Sequence, residues 1–256
     1  MRYTDKEKSI IIKYYPKGGC KEVQKYINRS IDSIRHTAMS LGVKTVCRQN
    51  LCNVNDFLKI DSEKIAYLLG FIWGDGYVSC QPRSYTIVVC IKKDDAQNLR
   101  KIFDNRWTIK DKSPQKATWA KQTFHSINHK ELAIFLKEND FTIKSTTSPI
   151  KILKKIPFDL QHHFFRGWFD ADGHISSNLT ICGTYKQNWE ALEKLSKQLN
   201  FKKNIYKWKS DKARFSRFEV CGRDSQKKFL SYIYKDANFK LDRKFLKYQN
   251  LIAKIG

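Results

Sequence analysis

The stretch Leu68-Leu69-Gly70-Phe71-Ile72-Trp73-Gly74-Asp75-Gly76 returns further along the chain as Phe165-Arg166-Gly167-Trp168-Phe169-Asp170-Ala171-Asp172-Gly173. Each copy is apolar on nearly every side and ends in an acid followed by glycine. A helix of that kind is buried. Gly70 and Gly74 fall four apart on one face, as do Gly167 and Ala171. Small residues at this spacing let two helix backbones approach closely. The two copies are therefore expected to lie side by side as a seam, with Asp75 and Asp172 meeting at one end. Helix C-termini already carry partial negative charge. Two carboxylates placed there call for a cation, and hard oxygen donors with room for water suit Mg²⁺. Gly76 and Gly173 are expected to take the left-handed cap that turns a helix into a strand.

The sequence on either side repeats as well. The first helix is read over 63–74. Strand-like sequence follows each motif, at 77–92 and 174–184, then a short helix at 96–103 and 188–199. More strand-like sequence comes at 117–127 and 214–221, and a further helix at 129–137 and 225–234. Each copy ends in a basic step, Ile143-Lys144 and Arg243-Lys244. A register that holds over such a span indicates an internal duplication. The expected class is α+β with a pseudo-twofold core, divided into residues 61–157 and 158–256. Residues 46–60 form a polar linker without clear period.

Residues 1–45 read as three short helices. Thr4 and Glu7 have the spacing of a capping box. Lys17-Gly18-Gly19 breaks the first helix, Val23, Tyr26 and Ile27 mark a second, and Ser30 caps a third with Ile31, Ile34, Ala38 and Leu41 on its apolar face. Gly42 stands where a left-handed cap is expected. The polar face of the third helix, with Arg35 and His36, suits the recognition helix of a helix-turn-helix.

Composition narrows the function. The 256 residues carry 49 Lys and Arg against 25 Asp and Glu, a net charge of +24, which draws in polyanions. A 41% hydrophobic and 13% aromatic content excludes a disordered chain. No apolar run reaches membrane-spanning length, and Ile10-Ile11-Ile12 is too short for a signal peptide. Seven scattered cysteines without a CxxC pair argue against a zinc site or disulfide framework and point to the reducing cytoplasm.

Two resemblances rest on these residues. Thr4, Glu7, Tyr15-Pro16-Lys17-Gly18-Gly19, Arg29-Ser30, Ile34, Ala38 and Leu41-Gly42-Val43-Lys44 resemble the Myb-like N-terminal modules of some phage homing endonucleases. The two nine-residue motifs resemble those of a single-chain LAGLIDADG homing endonuclease over residues 61–252. The consensus is broken at Leu69, Phe165 and Arg166, whereas both final acids are kept. The resemblance implies a saddle of two αββαββα repeats whose sheets lie across the major groove. It implies that Asp75 and Asp172, with the backbone at Gly74 and Ala171, hold divalent metal, and that Lys144 and Lys244 assist at the scissile phosphates. It also implies a monomer making a staggered double-strand break in a long asymmetric DNA site. A catalytically silent DNA-binding regulator, an RNA maturase and a nickase are the alternatives.

Sequence readout would fall to the sheets, where Ile87, Val89 and Ile91 form the covered face of 85–93. The candidates for DNA contact are Gln81, Arg83, Lys93, Lys121, Gln122, Ser176, Asn178, Lys207, Lys209, Arg214 and Arg217. Arginine pairs with guanine and glutamine with adenine; lysine mostly grips phosphate. His162 and His163 are expected to pack or cap ahead of the second motif helix, and His174 to approach the cleft.

Overall fold

The computed structural model describes residues 3–44, 57, 59–82, 84–103, 107–112, 120–210 and 214–253. The chain divides into two compact units, residues 1–53 and 54–256. The expected linker lies largely outside the described residues.

In the first unit, α1 (Asp5–Val23) opens on the capping box: the Thr4 side chain accepts from Glu7 N, and the Glu7 carboxylate accepts from Thr4 N at 2.8 Å. Gly19, at φ 65 and ψ −154, is non-helical and breaks the helical path, as expected. The second helical stretch runs up to Val23 rather than around residues 23–27. The helical path resumes after the kink and ends at Val23, and a turn carries Ile27 into the core. α2 (Ile31–Ser40) is capped by Ser30, and Gly42 has φ +67 as expected. Ile11, Val23, Ile27, Ile34 and Ala38 form the core of this unit. Ile31 stays 41% exposed, off the apolar face assigned to it.

The second unit repeats one order of elements. The first copy runs α3 (Glu63–Asp75), β1 (Gly76–Gln81), β2 (Ser84–Lys92), α4 (Lys93–Ala96), β3 (Thr108–Lys112), β4 (Gln122–Asn128), α5 (Lys130–Glu138) and the short α6 (Ile150–Leu153). The second runs α7 (Gln161–Asp172), β5 (Gly173–Ile175), β6 (Leu179–Thr184), α8 (Glu190–Gln198), β7 (Lys203–Lys209), β8 (Arg214–Val220), α9 (Arg223–Ile233) and α10 (Asp242–Ala253). Each copy builds a four-stranded antiparallel sheet, in the orders β1-β2-β4-β3 and β5-β6-β8-β7. Alternation puts Ile87, Val89 and Ile91 on a buried face, in register with Ile127, His125 and Thr123. Leu179 and Ile181 do the same opposite Val220 and Phe218.

Two features depart from the sequence reading. The helix expected over 96–103 starts earlier, as the single turn of α4, and continues as turns. The edge strand β3 carries charge on both faces, Lys110 and Asp111, as sheet edges do, whereas β7 alternates lysines on one face with Tyr206 and Trp208 on the other and was missed in the sequence reading. Among the described residues no helix is long and apolar enough to cross a membrane.

α3 and α7 pack against each other at the centre. A Cβ on Gly70 would collide with the Phe164 carbonyl, and one on Gly167 with the Tyr67 carbonyl. A Cβ on Gly74 would strike the Cβ of Ala171. Gly70, Gly74, Gly167 and Ala171 thus set the distance between the helices. Tyr67, Leu68, Leu69, Phe71, Phe164 and Phe169 fill the space around them, each at most 2% exposed.

Candidate functional site

Both seam helices stop at their acids and the chain passes straight into a strand. The glycines that follow are not left-handed. Gly76 has φ −79, ψ 150 and Gly173 φ −82, ψ 155, ordinary extended backbone. Glycine is needed there for room: a Cβ at Gly76 would press on Ile72, and one at Gly173 on Phe169.

Crowding brings the two carboxylates into each other's field. Burial, with the negative charge of Asp75 second, pushes Asp172 up to about 7, and Lys144 and Lys244 oppose the shift. Burial also raises Asp75, against the pull of Lys144, Lys244 and Arg243. The position a Cβ would take on Gly74 lies 3.2 Å from Asp172 Oδ2, so the second acid leans over the end of the first helix.

The two lysines sit at the helix ends rather than projecting freely. Lys144 Nζ donates to Ile72 O at 3.2 Å and to Gly74 O. Lys244 Nζ donates to Phe169 O and Asp170 O, both at 2.7 Å. Ile72 O and Phe169 O also accept from the cap N–H groups of Gly76 and Gly173, while Gly74 O and Asp170 O are among the last carbonyls, which a helix leaves without an intrahelical partner. Burial pulls each lysine down to about 8, against the pull of Asp172 and Asp75 on Lys144 and of Asp170 first, then Asp75 and Asp172, on Lys244. Lys144 takes one of the two lone pairs of the Gly74 carbonyl, and the other remains. Ala171 faces Gly74 with its side chain.

Each lysine loop is gripped by the opposite repeat. Gln187 Nε2 donates to Lys144 O at 3.0 Å and Thr147 O at 3.1 Å, and Thr184 Oγ1 donates to Ser145 O at 2.5 Å. In return, Asp95 accepts from Arg243 Nε at 2.9 Å and Asn98 donates to Asp242. Glu63 accepts from the backbone of Asn238 at 2.7 Å and of Phe239 at 2.9 Å. None of these holding residues was singled out from sequence. They lie where the second strand of each repeat gives way to the next helix, or at the start of α3, with no local motif to mark them.

A buried polar network lies further back along the seam, toward the start of α3. Arg166, 0% exposed, donates to Phe239 O, Ile233 O and, at 2.5 Å, to Glu63 Oε1. Asp170 accepts from Tyr67 at 2.8 Å, Tyr234 at 2.9 Å and Leu241 N at 2.9 Å. Burial raises Asp170 even so, with Lys244 opposing. The break in the motif at Arg166 is therefore accommodated by partners on every side. His162 and His163 lie inside α7, buried, their rings 3.8 Å apart; they pack rather than cap. His174 is exposed and lines a cavity of about 590 Å³ with Ser176, Arg223 and Lys247.

The strand registers sort the candidates for DNA contact. On the uncovered face of the first sheet, Gln81 and Gln122 are exposed, together with Tyr77 and Asn128, and Thr86 is half-buried. Thr86 donates to Asn128 Oδ1 at 2.6 Å. Lys121 is exposed just before β4, and its carbonyl accepts from Lys93 N. Lys93 pairs with Asp111 at 2.6 Å. Asp111 shares the covered face with Thr123, so Lys93 is turned away from the open side. Arg83 lies outside the described residues. Ser176 and Asn178 are exposed at the tip of the β5–β6 hairpin, bonded to each other.

In the second sheet, Lys207 lies opposite Ser216, and Lys209 opposite Arg214. These three basic residues share the face of Phe218, which is 0% exposed. Only Arg217 of the four candidates lies on the uncovered face. Charge alone had grouped them, but residues three apart on a strand point to opposite sides. Arg217's true companions are Tyr206, Trp208 and Phe215, which alternation in 203–209 would have flagged. In the first unit, Arg35 and His36 are exposed on α2, and Arg35 pairs with Asp32 at 2.9 Å.

Among the described residues no three His, Cys, Asp or Glu side chains gather to hold a metal. The two carboxylates are the side-chain donors available, and any further ligands would be water, backbone or substrate oxygen.

Comparison with known proteins bears on this geometry. Residues 159–234 match the family model of the LAGLIDADG-like domain. No curated protein matches. The homing endonuclease I-WcaI bound to its DNA recognition sequence is similar at 17% identity, with a TM-score of 0.52 over 78% of this chain and 97% of that one. I-DmoI in complex with DNA and Ca is similar at 17% identity and a TM-score of 0.48, over 73% and 97% of the two chains. The K262A mutant of I-SmaMI is similar at 14% identity and a TM-score of 0.49, over 73% and 89%. With its paired acid-ended helices and its two sheets of equal strand order, the chain has the LAGLIDADG homing endonuclease fold.

Proposed function

We propose that this chain is a site-specific endonuclease that cuts duplex DNA with the help of a divalent metal, Mg²⁺ being the ion that best suits the donors. One observation carries the reading. Two buried carboxylates end two helices packed so closely that a Cβ on Gly74 would strike Ala171 and lie 3.2 Å from Asp172 Oδ2, and burial, with the Asp75 charge second, raises Asp172. Nothing in a purely structural seam requires that arrangement, and a divalent cation between hard oxygen donors relieves it. When bound, such an ion lowers the pKa of a water and stabilises charge on phosphate oxygens. Asp75 and Asp172 would hold it. Lys144 and Lys244 would supply fixed positive charge beside the reacting phosphates. The net charge of +24 supports a polyanionic substrate, and the relatives solved with DNA support a duplex.

Pseudo-twofold placement of the two acids favours one cut in each strand and a staggered break. Retention of both acids favours cleavage over a silent regulator. With both motifs in one chain the seam is satisfied internally, so a monomer binds each site. Residues 1–45 would add contacts on one flank through Arg35 and His36. The test is digestion of a randomised duplex library with Mg²⁺, followed by sequencing of the ends. Paired, offset ends at one recurrent site are expected, and none from the Asp75→Asn or Asp172→Asn chains. Binding without cleavage by the unmodified chain would overturn the reading. Removal of residues 1–45 should shorten the footprint on one side only.

A further inference from the structure

The uncovered face of the second sheet carries an aromatic cluster. Tyr206 lies opposite Arg217, and Trp208 opposite Phe215. Trp208 and Phe215 stack with centroids 4.6 Å apart and planes 21° apart, and Tyr206 lies 5.6 Å from Trp208. The Arg217 guanidinium sits 5.2 Å from the centroids of both Tyr206 and Trp208, and pairs with Glu219 at 3.1 Å. All three rings remain 36–39% exposed. Trp208 and Phe215 spend ring faces on each other, so these two rings offer apolar edge outward, beside the Tyr206 hydroxyl, which accepts from Asn204 Nδ2 at 3.0 Å. A flipped base would need a free face. The major groove offers one apolar group to such an edge, the 5-methyl of thymine.

We propose that the Tyr206–Trp208–Phe215 ridge selects thymine in the half-site under the second sheet, with Arg217 as the positioning residue that keeps the rings upright. The inference rests on the duplex-binding reading above. The open face of the first sheet presents hydroxyl and amide groups, such as Thr86 and Asn128, beside the exposed ring of Tyr77.

The experiment starts by selecting bound sequences from a random duplex pool with the full chain and a chelator present to prevent cutting. Deoxyuridine then replaces thymidine in one half-site at a time. Binding should weaken in one half only, by about fourfold for each contacted methyl. Trp208→Ala and Phe215→Ala, both at exposed positions, should bind the thymidine and deoxyuridine duplexes equally and select less thymine in that half. Equal binding of both duplexes by the unmodified chain overturns the inference while leaving duplex recognition intact. A pool that yields no preferred sequence overturns both. Tighter binding of a single-stranded RNA or DNA than of the duplex, weakened by Trp208→Ala, would make the ridge a base-stacking platform and also overturn it.

Discussion

The two motif helices share a backbone but not a chemistry. Where α3 has Leu69 and Trp73 in an apolar core, α7 has Arg166 and Asp170 in a network of hydrogen bonds. The comparison separates what the fold requires from what it permits. Both copies keep small residues at the contact and an acid at the end. The remaining positions tolerate an apolar side chain or a charged one, provided each donor and acceptor finds a partner. Arg166 meets that condition with two backbone carbonyls and a carboxylate.

The largest expected effect breaks what the copies share. Gly70→Leu and Gly167→Leu each drive a side chain into the opposite backbone, so each should cost more than about 3 kcal/mol and prevent recovery of folded protein, as measured by denaturant titration. Next come the acids. Asp75→Asn and Asp172→Asn should each lower the cleavage rate by about a thousandfold or more, with DNA affinity kept, in a plasmid-cutting assay paired with a binding titration. A much milder loss for one of them would show that the two ends are unequal.

The third prediction addresses what the copies do not share. Arg166→Ala strands Glu63 without its charge partner and should cost about 3–5 kcal/mol. Leu69→Ala, its counterpart, opens a cavity and should cost about 2–5 kcal/mol. Urea unfolding of both variants sharpens the comparison: only the Arg166 variant should also unsettle the 234–241 segment, which hydrogen exchange would report.

A pH experiment gives a smaller effect. Asp172 holds its proton up to about 7 in the folded chain, against 3.8 ordinarily. The stability this contributes is full below the ordinary value and is lost as pH rises through 7. Metal-free protein should therefore lose stability between about pH 4 and 7, and Asp172→Asn should flatten that slope. Mg²⁺ should raise the melting temperature more at pH 8 than at pH 5. The smallest effect tests the faces of the second sheet. Lys207→Ala and Lys209→Ala, on the covered-face side, should change stability by no more than about 0.5 kcal/mol and leave sequence preference unchanged in a binding selection, unlike Trp208→Ala.

The seam was legible in the sequence because its constraint is local. Gly70, Gly74, Gly167 and Ala171 sit at helical spacing within two short stretches, and the acids follow them directly. The lysines were legible through the repeat, but their hydrogen bonds to Ile72, Gly74, Phe169 and Asp170 carbonyls were not, because those pairs are separated by about seventy residues. Gln187, Asn98 and Glu63 escaped for the same reason. That Lys207, Lys209 and Arg214 lie on the other face from Arg217 was not legible, because charge says nothing about which way a strand side chain points. The glycines after the acids were identified correctly as necessary and explained wrongly. The requirement is space against Ile72 and Phe169, which only packing reveals.

The crossed grip on the lysine loops limits how this molecule can be recombined. A repeat exchanged for one from another protein would bring its own lysine but lose the glutamine, asparagine and carboxylates that hold that lysine's loop from across the seam. The foreign half would in turn fail to hold the loop left behind. A chimera that matched both helix faces would still carry two loosely held cations. Successful exchange would require Gln187 and Thr184 to travel with residues 144–147, and Glu63, Asp95 and Asn98 with residues 238–243. The unit of inheritance in this duplicated chain is thus the pair of halves, not either half.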